Sequence, residues 1–244
     1  IPQGRGEFES VSLSDVLEKA RKAIQQGKRH IVLICDEIGN YLAPDSQARF
    51  PELVESLLSL DPDLTLSVRY IEPKPFLRFS EKLFQWSKEG RIRLLYISIQ
   101  SGSERILKAM NRGYDLARLT KILKDFRQNS PVILYGNWLI GFPGEGNSDF
   151  LETVSLVKEL EFHINVAIPF SAREGTPAFE MGSQLDECTI NERVSMLTNI
   201  IASMKASAME SVLSFLDTRS REPIIDRIRL AECEQYVDDQ QVCE

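Results

Sequence analysis

The chain has 244 residues, 43% of them hydrophobic and 27% charged, and carries a net charge of −7. No run is long and apolar enough to span a bilayer, so the composition describes a soluble globular domain with a sizeable core. The acidic balance gives no overall field for nucleic acid and leaves room only for a local basic patch. Cys35, Cys188, Cys233 and Cys243 are scattered without metal-ligand spacing and without the density of a secreted disulfide scaffold, which points to a reducing, cytoplasmic setting. Ile1 is not an initiator residue, so a preceding segment is expected.

In chain order, Ser12 and Asp15 form a capping pattern ahead of Val16, Leu17, Ala20, Ala23 and Ile24, and Gly27 closes that helix. Ile31 to Ile34 reads as a strand apolar on both faces. Pro51 opens a helix through Leu53, Val54, Leu57 and Leu58, after which Leu64, Leu66, Val68 and Tyr70 alternate as a strand. A third helix carries Phe79, Leu83, Phe84 and Trp86, and Leu94 to Ile99 is the third strand. Ser101 and Glu104 make another capping pattern, followed by helical apolar spacing at Ile106, Leu107 and Met110 and again from Leu116 to Phe126.

The stretch from Val132 to Phe150 is a buried strand that breaks into Gly141-Phe142-Pro143-Gly144-Glu145-Gly146 and feeds a helix, with Asn147 and Ser148 as its expected caps. Glycines there bring bare backbone to the carboxyl end of a strand, where parallel sheets hold ligands. Ile164 to Phe170 is a fifth strand. A loop from Ser171 to Gln184 and a long helix, roughly Ile190 to Asp217, follow, and Arg219 to Glu244 reads as a charged, partly disordered tail. A helix between each pair of strands belongs to right-handed crossovers and a parallel sheet; the period fits a doubly wound sheet and a curved barrel equally.

Four phrases in register carry a family likeness: Ile1-Pro2-x-x-Arg5-Gly6, the run from Gln100-Ser101-Gly102-Ser103 to Met110-Asn111-Arg112-Gly113-Tyr114, Gly141-Phe142-Pro143-Gly144-Glu145, and Arg173-Glu174-Gly175-Thr176-Pro177-Ala178. Together they resemble the radical SAM methylthiotransferases, over Ile1 to about Met209. The resemblance implies an α/β fold, a partial (β/α)6 barrel missing its first strand, with a C-terminal helical extension. It divides the chain into a barrel portion at 1–185, a packed helix at 186–218 and the tail at 219–244. It also implies S-adenosylmethionine as cofactor, a [4Fe-4S] cluster in the parent protein whose cysteine ligands lie upstream of Ile1, and sulfur insertion into tRNA or a ribosomal protein. An upstream cluster-bearing segment and a reductant would be partners, and this chain alone is expected to hold no cluster. Another radical SAM branch, for example a cobalamin-dependent one, and a non-catalytic remnant binding a partner or nucleotide are the alternatives.

By the same resemblance, Asp36 and Glu37 after the first strand stand where the amino group of S-adenosylmethionine is met, unless they are only a polar turn. Gln100 and Ser101 stand where its ribose or carboxylate binds, although Ser101 is equally a plain helix cap. Leu139, Ile140 and Gly141 would lie against the adenine, and Ser171 and Arg173 would line the same carboxyl-end face. Ser67 occupies a position where the family has arginine, and Arg69, on the same strand face, is its candidate replacement. His30 and His163 read as satisfied structural groups, and Arg118, Lys121, Lys124 and Arg127 as a solvated helix face.

Overall fold

Short-range signals start and stop most elements of the computed structural model, which describes the backbone of residues 9–215 and the side chains of residues 9–204. The Ile1 to Gly6 phrase, Cys233, Cys243 and the acidic tail lie outside the described residues. Helix α1 (Leu13–Gln25) begins where Ser12 accepts the Asp15 N–H, and the chain turns away at Gly27, φ +82°. Strands β1 (His30–Leu33), β2 (Thr65–Ile71), β3 (Ile92–Gln100), β4 (Ile133–Ile140) and β5 (Ile164–Pro169) are parallel and lie in sequence order in one sheet. Between them run α2 (Phe50–Leu58), α3 (Pro73–Lys88), α4 (Glu104–Ala109), α5 (Leu116–Asn129) and α6 (Asn147–Leu160). After β5 come α7 (Pro177–Glu180), a short turn inside the predicted loop with Thr176 as its cap, and α8 (Glu187–Phe215). The open order of five parallel strands is that of a partial barrel, as expected; β1 is an edge, and Val32 on it and Ile34 just after it are 43% and 62% exposed.

The two faces of the sheet differ in what covers them. Leu66, Val68, Leu95, Ile97, Leu134, Trp138 and Ile140 alternate onto the helix side and join Phe76, Phe126 and Leu197 in the main core. The opposite face carries a smaller cluster built from strand residues alone, Tyr96, Ile133, Tyr135, Ile164 and Val166. There Tyr96 and Tyr135, paired across β3 and β4, stack at 4.1 Å, and a register shift in β2 puts Tyr70, φ +63°, 4.7 Å from Tyr96. At the amino-terminal edge Arg91 ties down the carbonyls of Leu58, Asp61 and Leu64. His30 bonds Thr65 and Ser67 and is satisfied as expected, whereas His163 accepts the Leu134 N–H at Nδ1 but leaves its buried Nε2 without a partner; burial pushes His163 down to about 3 and keeps it neutral.

Two helix starts differ from the sequence reading. Helix α6 is capped at Gly146, with Asn147 already its first residue, because the Asp149 carboxylate reaches back to the Gly146 N–H at 2.8 Å. Helix α4 is capped at Ser103, and Ser101 instead accepts the Ser103 N–H from within the loop. These two turns are one unit. Asp149 accepts Ser103 Oγ at 2.7 Å and Arg105 at 3.1 and 2.5 Å, while Thr153 Oγ1 accepts the Gly102 N–H at 2.9 Å. The approach is so close that a Cβ on Gly102 would lie 2.5 Å from the Glu152 carbonyl oxygen.

Asp149 is buried, and its four donors outweigh the burial and hold its carboxyl down at about 2, against an ordinary 3.8. Its stabilising contribution is therefore present above pH 3.8 and lost as pH falls through 2. Replacing Asp149→Ala strands these donors and should cost about 2–4 kcal/mol in denaturant unfolding. The stability difference between the chain and an Asp149→Asn variant should shrink as pH is lowered from 5 to about 2; a difference that grows over this range contradicts the assignment.

Candidate functional site

Five parallel strands put five carboxyl ends along one edge, and specific contacts hold neighbouring ends together. At β1 the chain passes through Cys35 and Asp36, both exposed, to Glu37, which is buried. Glu37 accepts the Gly39 N–H at 2.7 Å and the Glu72 N–H at 2.8 Å, so it fastens the end of β1 to the end of β2. Beyond β2, Glu72 pairs with Arg112 at 2.5 Å, and Arg112 also donates to the Ser98 carbonyl on β3. Gln100 ends β3 at φ +76° and is in register with Trp138 of β4. The Phe170 N–H donates to the Ile140 carbonyl at 2.7 Å, and Phe142 meets Phe170 edge-on at 5.1 Å, joining the turns after β4 and β5. Asp36, Gln100, Gly141 and Ser171 thus follow neighbouring strand ends at one edge of the sheet.

The other expected site residues divide by where their side chains go. Asp36, Glu37 and Cys35 also line a cleft of about 1060 Å³ beside β1, with Ile31, Ile34 and Tyr41. Although the residue is exposed overall, desolvation of its thiol in the cleft, with the Glu37 and Asp36 charges nearby, pushes Cys35 up to about 11, so it is no ready nucleophile. Both Glu37 oxygens are spent on backbone N–H groups, which makes it a brace. Ser101 is 3% exposed, with its hydroxyl committed to the Ser103 N–H and to Thr153, a structural role in the loop and not the helix cap expected of it. Leu139 is half-buried; Ile140 is 1% exposed in the helix-side core and offers the edge only its backbone. Gly141 has φ +89°, and a Cβ there would meet Ile190 of α8 at 2.5 Å, so packing by α8 accounts for the glycine. Ser171 and Arg173 are exposed beyond β5. Arg69 lies over the Tyr70 and Tyr96 rings at 5.4 and 5.8 Å, on the face that lacks helices.

The residue that sequence reasoning missed is Asn137. By alternation with Tyr135 it points to the helix-free face, one step below the carboxyl edge, and it is 8% exposed. Its Oδ1 is buried without a hydrogen-bond partner. An orphaned acceptor costs about 1–3 kcal/mol unless a water, an ion or a ligand donates to it, so Asn137 is a candidate ligand contact on this face. The signal lay in the sequence as one amide within a strand of Ile, Leu, Tyr and Trp.

Two measurements probe this geometry. Burial pushes the Glu37 carboxyl up to about 7 against the pull of its two N–H donors, with the Glu72 charge adding to the rise. The folded carboxyl then binds its proton more tightly than the unfolded one near 4.5, so its stabilisation is full below pH 4.5 and lost as pH rises through 7. The Tm of the chain minus that of a Glu37→Gln variant should fall between pH 5 and pH 8; a rise refutes the raised value. Asn137→Leu, by removing the orphan, should raise the Tm of the ligand-free chain by several degrees, as expected for about 1 kcal/mol. A lowered Tm would mean that the amide is satisfied in solution.

Comparison with known proteins agrees with this architecture. The Radical SAM superfamily profile matches residues 1–157. A tRNA-2-methylthio-N(6)-dimethylallyladenosine synthase of Sphingopyxis alaskensis is 27% identical over 216 residues, covering 87% of this chain and 49% of the relative. Among solved structures, coproporphyrinogen III oxidase (HemN) of Escherichia coli superposes with a TM-score of 0.54 at 13% identity, over 77% of this chain and 46% of that one. The radical S-adenosylmethionine methyltransferase TsrM of Kitasatospora setae gives 0.51 at 18%, over 67% and 31%. The chain spans about half the length of the curated relatives it matches. With the superfamily profile covering well over half of its residues, and the strand order of a partial barrel beneath it, the chain belongs to the radical SAM superfamily.

Proposed function

We propose that this chain is the cofactor-binding barrel portion of a methylthiotransferase-like radical SAM enzyme whose substrate is a tRNA, with 1–185 as the barrel portion and α8 (Glu187–Phe215) packed on it. The observation that carries the reading is the shared carboxyl edge, with Asp36, Gln100, Gly141 and Ser171 at the ends of β1, β3, β4 and β5 and the orphaned Asn137 acceptor below it. Alignment of 87% of the chain, at 27% identity, with a tRNA methylthio synthase supports this branch over the cobalamin-dependent one.

The residues present suit a nucleotide-sized sulfonium cofactor. Asp36 offers an exposed carboxylate for an ammonium group, Gln100 an amide, and Asn137 an acceptor facing a donor on the ligand. They do not suit the iron-sulfur cluster, because no group of three His, Cys, Asp or Glu among the described residues could hold a metal. S-adenosylmethionine supplies radical chemistry beyond the reach of side chains; the protein's part is to bind, orient and keep water out. The helix-free face contributes the dry wall, Tyr70, Tyr96 and Tyr135, with burial holding the Tyr96 hydroxyl protonated. No helix among the described residues is long and apolar enough to cross a membrane.

S-adenosylmethionine should raise the Tm of the chain in a concentration-dependent way, and should do so less for Asn137→Leu. The full-length protein carrying this chain, expressed in a host without tRNA methylthiotransferases, should yield a methylthiolated adenosine in the digested tRNA by mass spectrometry. Ligand binding with unmodified tRNA would overturn the substrate assignment; no effect of S-adenosylmethionine on Tm would overturn the cofactor assignment.

A further inference from the structure

Helix α8 lies beyond the residues matched by the superfamily profile, yet it bears on the carboxyl edge at Gly141 in two ways. The first is steric, since Ile190 fills the space that a Gly141 side chain would need. The second runs through a buried ion pair. Glu145 is turned back under the Gly141–Gly146 turn, where its Oε2 accepts the Gly141 N–H at 2.6 Å. Its Oε1 accepts Arg193 at 3.1 Å, and the two side chains are only 4% and 11% exposed. The same guanidinium donates to the Glu145 carbonyl at 3.1 Å and to Asn147 Oδ1 at 2.7 Å, and lies 5.5 Å over the Phe150 ring.

Docking of α8 does not require these charges. Val194, Leu197, Ile200 and Ile201 already pack it against the core, and an apolar pair of similar volume would serve stability equally well. What a carboxylate adds is direction, because it is a fixed acceptor that holds one backbone N–H in one orientation. The guanidinium offsets the cost of burying that carboxylate, which burial otherwise pushes toward its neutral form.

We propose that Glu145 is a positioning residue that fixes the Gly141 backbone and that Arg193, by offsetting the charge of its buried carboxylate, keeps it in place, so that α8 supports the shape of the cofactor edge at the end of β4. This rests on the assignment of that edge to S-adenosylmethionine. The sequence signal is a single charge, Arg193, in the apolar stripe Ile190, Val194 and Leu197.

Two double variants of the full chain separate positioning from packing. Glu145→Gln with Arg193→Met removes both charges and keeps an acceptor for the Gly141 N–H, whereas Glu145→Leu with Arg193→Met removes the acceptor as well. In the first, Gly141 amide exchange and the Kd for S-adenosylmethionine should stay within about threefold of the parent; in the second, both should worsen by about tenfold or more, the scale of one lost buried hydrogen bond. A purely structural pair would move exchange and affinity in step with Tm in both variants, and this, or a leucine variant with parental exchange at Gly141, overturns the proposal. If the leucine variant does not fold, Arg193→Gln carries the test: faster exchange at Gly141 with unchanged α6 amides supports the clamp, and unchanged exchange at Gly141 overturns it. A parent that binds no S-adenosylmethionine, with the exchange pattern as stated, refutes the cofactor assignment and leaves the clamp standing.

Discussion

One carboxylate, Asp149, holds together the two turns on which the ligand edge is built. It gathers Ser103, Arg105 and the Gly146 N–H, so the loop leaving β3 and the helix leaving β4 are fixed to each other by four donors. Gly102 lets the backbones touch, and Thr153 satisfies the amide exposed by that contact. A charge this well partnered below the surface orients what it binds, and the orientation is passed to Gln100 and Gly141, the residues on either side of the join.

The same economy recurs along the edge. Glu37 joins the ends of β1 and β2, Arg112 reaches from Glu72 to the Ser98 carbonyl, and Glu145 ties Gly141 to α8. Each spends a buried or half-buried charge on backbone groups of a neighbouring strand end. The polar residues at this edge therefore fall into two populations. One, including Glu37, Ser101, Glu145 and Asp149, is consumed in bracing; the other, with Ser171 exposed and Asn137 bearing an unpartnered oxygen, faces outward or into the helix-free side. Rigidity in the first population is what makes the second a usable binding surface.

The parallel sheet and its helices were legible because each apolar run is bounded by its own cap or glycine, as at Ser12 and Gly27. The superfamily was legible because its phrases survive intact. The roles of those phrases were harder to read. Ser101 and Glu37 look like ligand groups in sequence, since a hydroxyl spent on the Ser103 N–H and on Thr153, or a carboxylate spent on the N–H groups of Gly39 and Glu72, is indistinguishable there from one that awaits a cofactor. Gly141 looked like clearance for an adenine until Ile190 was found in that space. Alternation in β4 was obscured by a strand apolar on both faces, which hid both the inward direction of Asn137 and the outward one of Ile140.

The central claim is that one edge, formed by the ends of five strands, receives the cofactor. Amide hydrogen exchange on the chain with and without S-adenosylmethionine tests it most directly. Protection confined to residues 35–37, 100–101, 141–142 and 170–171, four separate stretches that meet only at this edge, is the predicted result. Protection confined instead to the outer faces of α5 and α6, or absent from all four stretches at saturating ligand, would contradict it.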